Sequence, residues 1–317
     1  MKNKTWNIGP EDQDERLDLY LTFEMPERSR SAIQKMIKAK HIKVNGKAAT
    51  VHRFLKAGDK IEWNGEEVKR RETVREQKTH APLPAIEDLI VEETADWIVL
   101  DKPSGLLVHS DSEVSGGTLV DLLVAHFPPI AKVGEDPERP GIMSRLDREV
   151  SGLIVVAKTQ AAFDSLKQQF AGREVTKKYL TLCHGTLPDE EGDIKFRIAR
   201  STTQPRMAAR PEKESEGKAA WTHYKVKERF IGATLAELEI LSGRTHQIRA
   251  HLHAMGSPVM GDMLYKIKNT ERNVKAPRLM LQSVLLEFND PTSGERKHFE
   301  LAPVPEFEQM IEEFRHS

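Results

Sequence analysis

Residues 66–84, EEVKRRETVREQKTHAPLP, divide this chain in two. The stretch is densely charged, has no apolar periodicity and ends in two prolines, so it offers no face to bury and reads as a linker. We set the linker at 66–85. A chain of 317 residues interrupted there is expected to build two cores, a small one before the break and a larger one after it. No internal repeat or long low-complexity tract is present.

Composition narrows the class. Lys+Arg number 48 against 49 Asp+Glu, a net charge of −1, which excludes nucleic-acid binding through bulk charge but not through a local basic face. Hydrophobic residues make up 38% and charged residues 31%, enough for a core beneath a solvated surface, so wholesale disorder is not expected. The single cysteine, Cys183, excludes a disulfide framework and a four-thiolate metal site. No apolar run approaches the ~20 residues of a membrane helix. The start leads into the acidic stretch Glu11–Glu15 rather than an apolar core, unlike a signal peptide. The expectation is a soluble cytoplasmic protein.

The charge is unevenly placed. Arg28, Arg30, Lys35, Lys38, Lys40, Lys43, Lys47, Arg53, Lys56 and Lys60 fall in one window whose only acid is Asp59, a candidate phosphate-binding surface or, equally, a merely solvated face. Ser29 or Ser31 can cap a helix whose apolar residues Ile33, Met36 and Ile37 share a stripe, leaving Lys35 and Lys38 off it. Ile42–Val44 followed by Asn45-Gly46 predicts a strand entering a hairpin turn, and Gly58-Asp59 opens another strand through Ile61 and Trp63. Ser-Arg-Ser-x-x-Gln-x-x-Ile, Val-Asn-Gly and Gly-Asp, from Asp14 to Trp63, resemble the S-four type RNA-binding domain. We bound this α/β module at 14–65. The resemblance implies RNA contacts from Arg28, Arg30, Lys35, Lys38 and Lys43.

Beyond the linker, residues 86–317 alternate short apolar strands with a few helices. Trp97–Leu100 and Leu106–Val108 read as strands around the turn Lys102–Gly105. Thr118 can cap a helix carrying Leu119, Leu122, Leu123 and Phe127. Leu153–Val156 is apolar throughout, a buried strand. Phe163, Leu166 and Phe170 mark a helix stopping before Gly172, and Phe307, Met310, Ile311 and Phe314 mark a last one. Tyr179–Leu182, Thr234–Leu241 and Leu279–Phe288 are further strands. Without regular β-α alternation, this order predicts an α+β domain with a mixed, mostly antiparallel sheet.

Two segments carry candidate chemistry. Gly141–Gly152 places Asp147 between Arg145 and Arg148 in a glycine-bounded loop just before the buried strand, where active residues tend to sit. Taken alone, the segment is better explained by a structural Asp–Arg pair in a turn. In Ser242–Gly256, a helix would put Ile248, Leu252 and Met255 on one side and His246, Arg249 and His253 on the other, since seven residues make about two turns. His251 then points away from the other two histidines, and no HExxH pattern is present, so no metal site is expected.

Taken together, Arg-Leu-Asp147-x-x-x-Ser-Gly-Leu-x-Val-x-Ala-Lys-Thr, Lys178-Tyr179 with Gly185 six residues on, Gly-Arg-Thr-His-Gln-Ile-Arg249-x-His-Leu and Gly261-Asp262-x-x-Tyr265 resemble the RluA/RluD-type pseudouridine synthases, over residues 86 to 302. Ser144 stands where that family commonly has His, and Gln282-Ser283 where it usually has His-Ala. The resemblance implies isomerisation of uridine to pseudouridine in RNA, in large-subunit ribosomal RNA first and transfer RNA as the rival, with no cofactor required. A monomer is the default expectation, and no metal is expected. The resemblance also implies that Asp147 is the catalytic carboxylate, which stabilises the sugar's developing positive charge or bonds to it. Arg249 would pair with Asp147, Tyr179 would stack on the uracil with its hydroxyl near carbon 5, Leu281 would pack on the base's other side, and Arg145 would fill the space the everted base leaves. Two other classes fit parts of the pattern: a non-catalytic RNA-binding ribosome-assembly protein, and a hydrolase pairing Asp147 with a histidine of 246–253.

Overall fold

A computed structural model describes residues 3–26, 28, 30–51, 53–65, 83–109, 117–204, 206–266 and 275–316; the side chains of Arg30, Ser31 and Lys35 lie outside the described set. The expected linker is therefore outside it from 66 to 82, as is the candidate cap Ser29. The chain separates into two compact units, Met1–Thr79 and His80–Ser317.

The smaller unit contains β1 (Lys4–Asn7), α1 (Leu17–Glu24), α2 (Arg30–Lys38), β2 (Ile42–Val44), β3 (Lys47–Ala48) and β4 (Lys60–Trp63). Its antiparallel sheet runs in the order β1-β4-β2-β3. Ile33, Met36 and Ile37 turn the apolar stripe of α2 onto Leu17, Leu21, Ile42, Val44 and Ile61. Asn45 and Gly46 take left-handed backbone angles, φ 53° and 72°, which joins β2 to β3 with the twist of a tight hairpin. Asp59 is the buried anchor of this turn. Its carboxylate accepts from Asn45 Nδ2 at 2.6 Å and from Arg53 Nη2 at 3.1 Å. Burial alone would raise its pKa, but the Arg53, Asn45 and Lys56 donors outweigh burial and hold it below the usual range.

The larger unit contains β5 (Ile90–Glu93), β6 (Trp97–Lys102), α3 (Leu119–His126), β7 (Ser151–Ala157), α4 (Gln160–Gly172), β8 (Thr176–His184), β9 (Glu191–Ile194), β10 (Arg197–Arg200), β11 (Met207–Arg210), β12 (Lys218–Ala219), β13 (Thr222–Phe230), β14 (Ala233–Ile240), α5 (Gln247–Ala254), β15 (Leu281–Asn289), β16 (Arg296–Glu300) and α6 (Pro305–Arg315). Among the described residues a nine-stranded sheet runs β5-β6-β7-β15-β8-β14-β13-β9, with β16 beside β15. Every pair in it is antiparallel except β7 with β15. The class is α+β with a mostly antiparallel sheet. A separate small sheet, β11-β10-β12, is built from the polar segment 197–219.

The parallel pair positions the site. Because β7 and β15 start at the same end of the sheet, the loop leading into β7 and the first residue of β15 meet there. The pair closes only around Gly152, whose φ is +108°; a Cβ at that position would lie 2.1 Å from the Ser283 carbonyl oxygen. Gln282 is buried and ties β15 to the C-terminal segment, donating to Ala302 O at 3.0 Å and accepting from Val304 N at 3.0 Å.

Two local expectations change and one holds. Leu106–Val108 forms no strand: Leu107 makes a single bridge to Thr118 while Leu106 and Val108 bury their side chains. The apolar residues there serve burial rather than a ladder. The helix begun at Gln160 runs through Gly172 and ends on Arg173 in a left-handed conformation. Thr118 caps α3 as expected, with Asp121 completing a reciprocal capping box.

Candidate active site

Asp147 lies on the loop before β7, and that loop is held from beneath by the turn after β6. Lys102 is fully buried and donates to Pro103 O at 2.9 Å, Leu106 O at 2.9 Å and Arg148 O at 3.2 Å. Burial pushes its pKa down to about 7; three carbonyl acceptors, matching the three N–H bonds of an ammonium, favour the charged form. Ser104 Oγ donates to Glu149 O at 2.7 Å, Gly105 N to Arg148 O at 2.8 Å, and Arg148 Nε back to Gly105 O at 3.0 Å. The backbone on the C-terminal side of Asp147 is therefore fixed.

α5 supplies the partner. His246, at its N-cap, adopts φ 53° and ψ 24°, and the first turn then aims Arg249 inward. Arg249 is 3% exposed and forks onto Asp262, Nε to Oδ2 at 2.7 Å and Nη2 to Oδ1 at 2.9 Å. Its remaining nitrogen, Nη1, donates to Asp147 Oδ2 at 3.1 Å. Burial opposes the charge on Arg249, but Asp262 and Asp147 outweigh it and raise its pKa. Burial likewise pushes Asp262 up, and the Arg249 fork together with the backbone N–H groups of Leu264 and Tyr265 more than reverses this, so its pKa is lowered. A planar fork fixed by one carboxylate presents its free edge to the other in a set direction, which a lysine cannot do.

Tyr265 braces this arrangement. Its hydroxyl donates to Met207 O at 3.0 Å and accepts from Met207 N at 3.0 Å, and Arg249 lies over its ring at 5.3 Å. With the hydroxyl proton so engaged, His246 Nδ1, 3.1 Å away, is the donor to Tyr265. His246 Nε2 lies 3.8 Å from Asp147 Oδ2, beyond hydrogen-bond reach. Burial lowers the His246 pKa, partly offset by the charge of Asp147.

Asp147, His246 and Arg249 border a cavity of about 360 Å³ whose wall also includes Arg145, Tyr179 and Leu281. The Asp147 side chain is 13% exposed, so it is reachable from the cavity. Tyr179 and Leu281 are buried along its wall. Burial, then the charge of Asp147, raise the Tyr179 pKa against a hydrogen bond with Ser283, so the phenol is neutral. Arg145 is exposed on the rim and makes no ion pair with Asp147 or Glu149 among the described residues.

In the smaller unit, Lys38 and Lys43 are exposed. Arg28 is half-buried with its guanidinium 4.9 Å from the Trp63 ring centre. The side chains of Arg30 and Lys35 lie outside the described residues.

The three histidines separate as the helix spacing requires. His251 turns to the sheet, accepting at Nδ1 from Thr222 Oγ1 at 3.0 Å and donating from Nε2 to Phe196 O at 3.2 Å, since Thr222 already accepts from Gln247. Among the described residues no three His, Cys, Asp or Glu side chains are grouped to hold a metal ion. Burial pushes the His251 pKa down from 6.5 to about 4. The unfolded chain thus binds a proton over that interval that the folded one does not, and stability falls as pH drops from 6.5 toward 4. The expected loss from this group is about 3 kcal/mol. Urea unfolding of His251→Gln between pH 7 and 4 should show a curve flatter by about that amount; an unchanged slope would remove His251 as the cause.

Residues 96–254 match the family described as RNA pseudouridylate synthase, and residues 15–61 match the S4 domain. The chain belongs to the RNA pseudouridine synthase family, isomerases that act on RNA. An uncharacterized RNA pseudouridine synthase of Bacillus subtilis is 34% identical over 96% of this chain and 96% of that protein. The ribosomal large subunit pseudouridine synthase D of Nitrosomonas europaea is 35% identical over 92% of this chain and 81% of that protein. Among solved structures, human RNA Pseudouridylate Synthase Domain Containing 1 superposes with a TM-score of 0.56 at 25% identity, covering 75% of this chain and 98% of that one. Membership sets aside the non-catalytic and hydrolase readings.

Sequence reasoning missed the work of Lys102, which it took as part of a turn, and the bidentate role of Asp262. A lysine ending the apolar strand Trp97–Lys102 was the available signal.

Proposed function

We propose that this enzyme isomerises specific uridines in large-subunit ribosomal RNA through the Asp147 carboxylate. The observation that carries the reading is a cavity-facing carboxylate, Asp147, held by an arginine that a second, buried carboxylate has already fixed. Breaking the glycosidic bond puts positive charge on the ribose, and a pre-oriented carboxylate offsets it without reorganising. Tyr179, a neutral phenol, stacks its ring on the uracil and is poorly suited to act as a phenolate base. Leu281 packs against the base, and Arg145 on the rim occupies the gap left by eversion, which costs a few kcal/mol in lost stacking. The names of the relatives support the ribosomal substrate over transfer RNA.

The domains we propose are 14–65 for RNA holding and 86–317 for catalysis, joined by 66–85, in a monomeric cytoplasmic protein. Among the described residues no helix is long and apolar enough to cross a membrane. The basic module captures RNA and raises its effective concentration at the catalytic domain. Reversing Arg30, Lys35 and Lys38 to Glu is expected to weaken RNA binding and to flatten the slope of log affinity against log salt by about 2. An unchanged affinity and slope would defeat that role. The substrate is tested by mapping pseudouridines in total RNA from cells lacking the gene. Losses confined to large-subunit RNA are expected; losses only in transfer RNA would overturn the ribosomal reading.

A further inference from the structure

Lys177 is a buried cation that the chemistry proposed for Asp147, Tyr179 and Arg249 does not use. It is 8% exposed yet lines the same cavity as Asp147 and Tyr179. It stands two residues before Tyr179 on β8, so the two side chains leave the sheet on one face, roughly 7 Å apart along the strand. Among the described residues its amine makes no hydrogen bond or ion pair and lies over the Phe170 ring, 5.3 Å from its centre. The neighbouring Lys178, facing the other way, is paired with Glu237 at 2.9 Å. Among the described residues the carboxylates on the cavity wall are Asp147, engaged by Arg249, and Glu239, which stands opposite Lys178 in the β8–β14 register.

An unpaired cation in a cavity is costly until an anion arrives. The reaction generates one. When the C1′–N1 bond breaks, its electron pair stays on N1 and the detached uracil is an anion, its charge shared among N1, O2 and O4, while Asp147 offsets the sugar's positive charge. Carbon 5 then bonds to C1′, the carbon 5 proton is lost and N1 gains a proton, so product and substrate have the same atoms. We propose that Lys177 is a further catalytic residue, whose ammonium donates to the detached uracil anion and so stabilises the state in which the base is free to turn. Burial pushes the Lys177 pKa down to about 8, which leaves it charged at neutral pH. Because the anion exists only after bond breaking, the gain falls on the reaction and not on substrate binding.

This inference rests on the site reading proposed above, and the test separates the two. Total RNA labelled with 5-tritiated uridine, taken from cells lacking the gene, contains the substrate whatever its class. On it, full-length Lys177→Met is expected to release tritium 100- to 1,000-fold more slowly at saturation, with KM within a few-fold of wild type. Lys177→Arg should recover most of that loss. Thermal unfolding of Lys177→Met should be at or above wild type, since an apolar side chain replaces an unpaired buried charge; should that variant fold poorly, Lys177→Gln serves in its place. A rate within five-fold of wild type, or a loss confined to KM, would overturn the proposal. If Asp147→Asn, run alongside, releases tritium as wild type does, both readings fall; if it is inactive and Lys177→Met is not impaired, only this one does.

Discussion

Asp147→Asn is expected to bind RNA within a few-fold of wild type and to form pseudouridine at least ~1,000-fold more slowly. The substitution is nearly isosteric, and the loop backbone it sits on is held by Lys102, Ser104 and Gly105 rather than by the carboxylate. What it removes is the charge. An amide can still accept from Arg249, but it neither offsets a cationic sugar nor bonds to it. Tritium release from 5-tritiated uridine RNA measures the effect. Turnover near wild type would show that another group does this work.

The second large effect is expected at Arg249. This guanidinium bridges a fully enclosed carboxylate, Asp262, and a cavity-facing one, Asp147, at 2.7 and 3.1 Å. Arg249→Met strands Asp262 without its fork, and breaking a buried pair from one side costs about 3–5 kcal/mol. For a domain of this size that lowers Tm by roughly 10 °C. Activity falls with it, because Asp147 loses the group that orients it. Arg249→Lys separates the two consequences. An ammonium retains charge beside Asp262 but has no planar fork to span both carboxylates, so Tm should recover more than turnover. Equal recovery of both would mean that charge alone, and not the bridging geometry, is what the site requires.

The legible parts of this molecule are those where local rules and tertiary demands agree. The hairpin at Asn45-Gly46, the cap at Thr118, the apolar run that becomes β7 and the stripe of α6 each follow from a few adjacent residues. The members of the candidate site were legible too, because Asp147, Tyr179 and Arg249, which line one cavity, sit in short ordered motifs. The route between them was not. Arg249 reaches Asp147 from 102 residues away, and the parallel pairing of β7 with β15, which brings Leu281 to the same end of the sheet, is a long-range event no local window records. The polar strands β9 to β12 also escaped notice, since short Arg- and Glu-rich segments carry little alternation. Lys102 was read as a turn residue because its three acceptors belong to backbone brought there by folding. Leu106–Val108 erred in the opposite direction: its apolar residues are buried, but without a partner strand.

The most direct test of the central claim is a crystal structure of the enzyme bound to RNA carrying 5-fluorouridine at the mapped position. The account predicts the modified nucleotide turned out of its stack into the cavity, with a carboxylate oxygen of Asp147 in contact with its sugar. A pyrimidine seated elsewhere, or Asp147 turned inward away from it, would contradict the account.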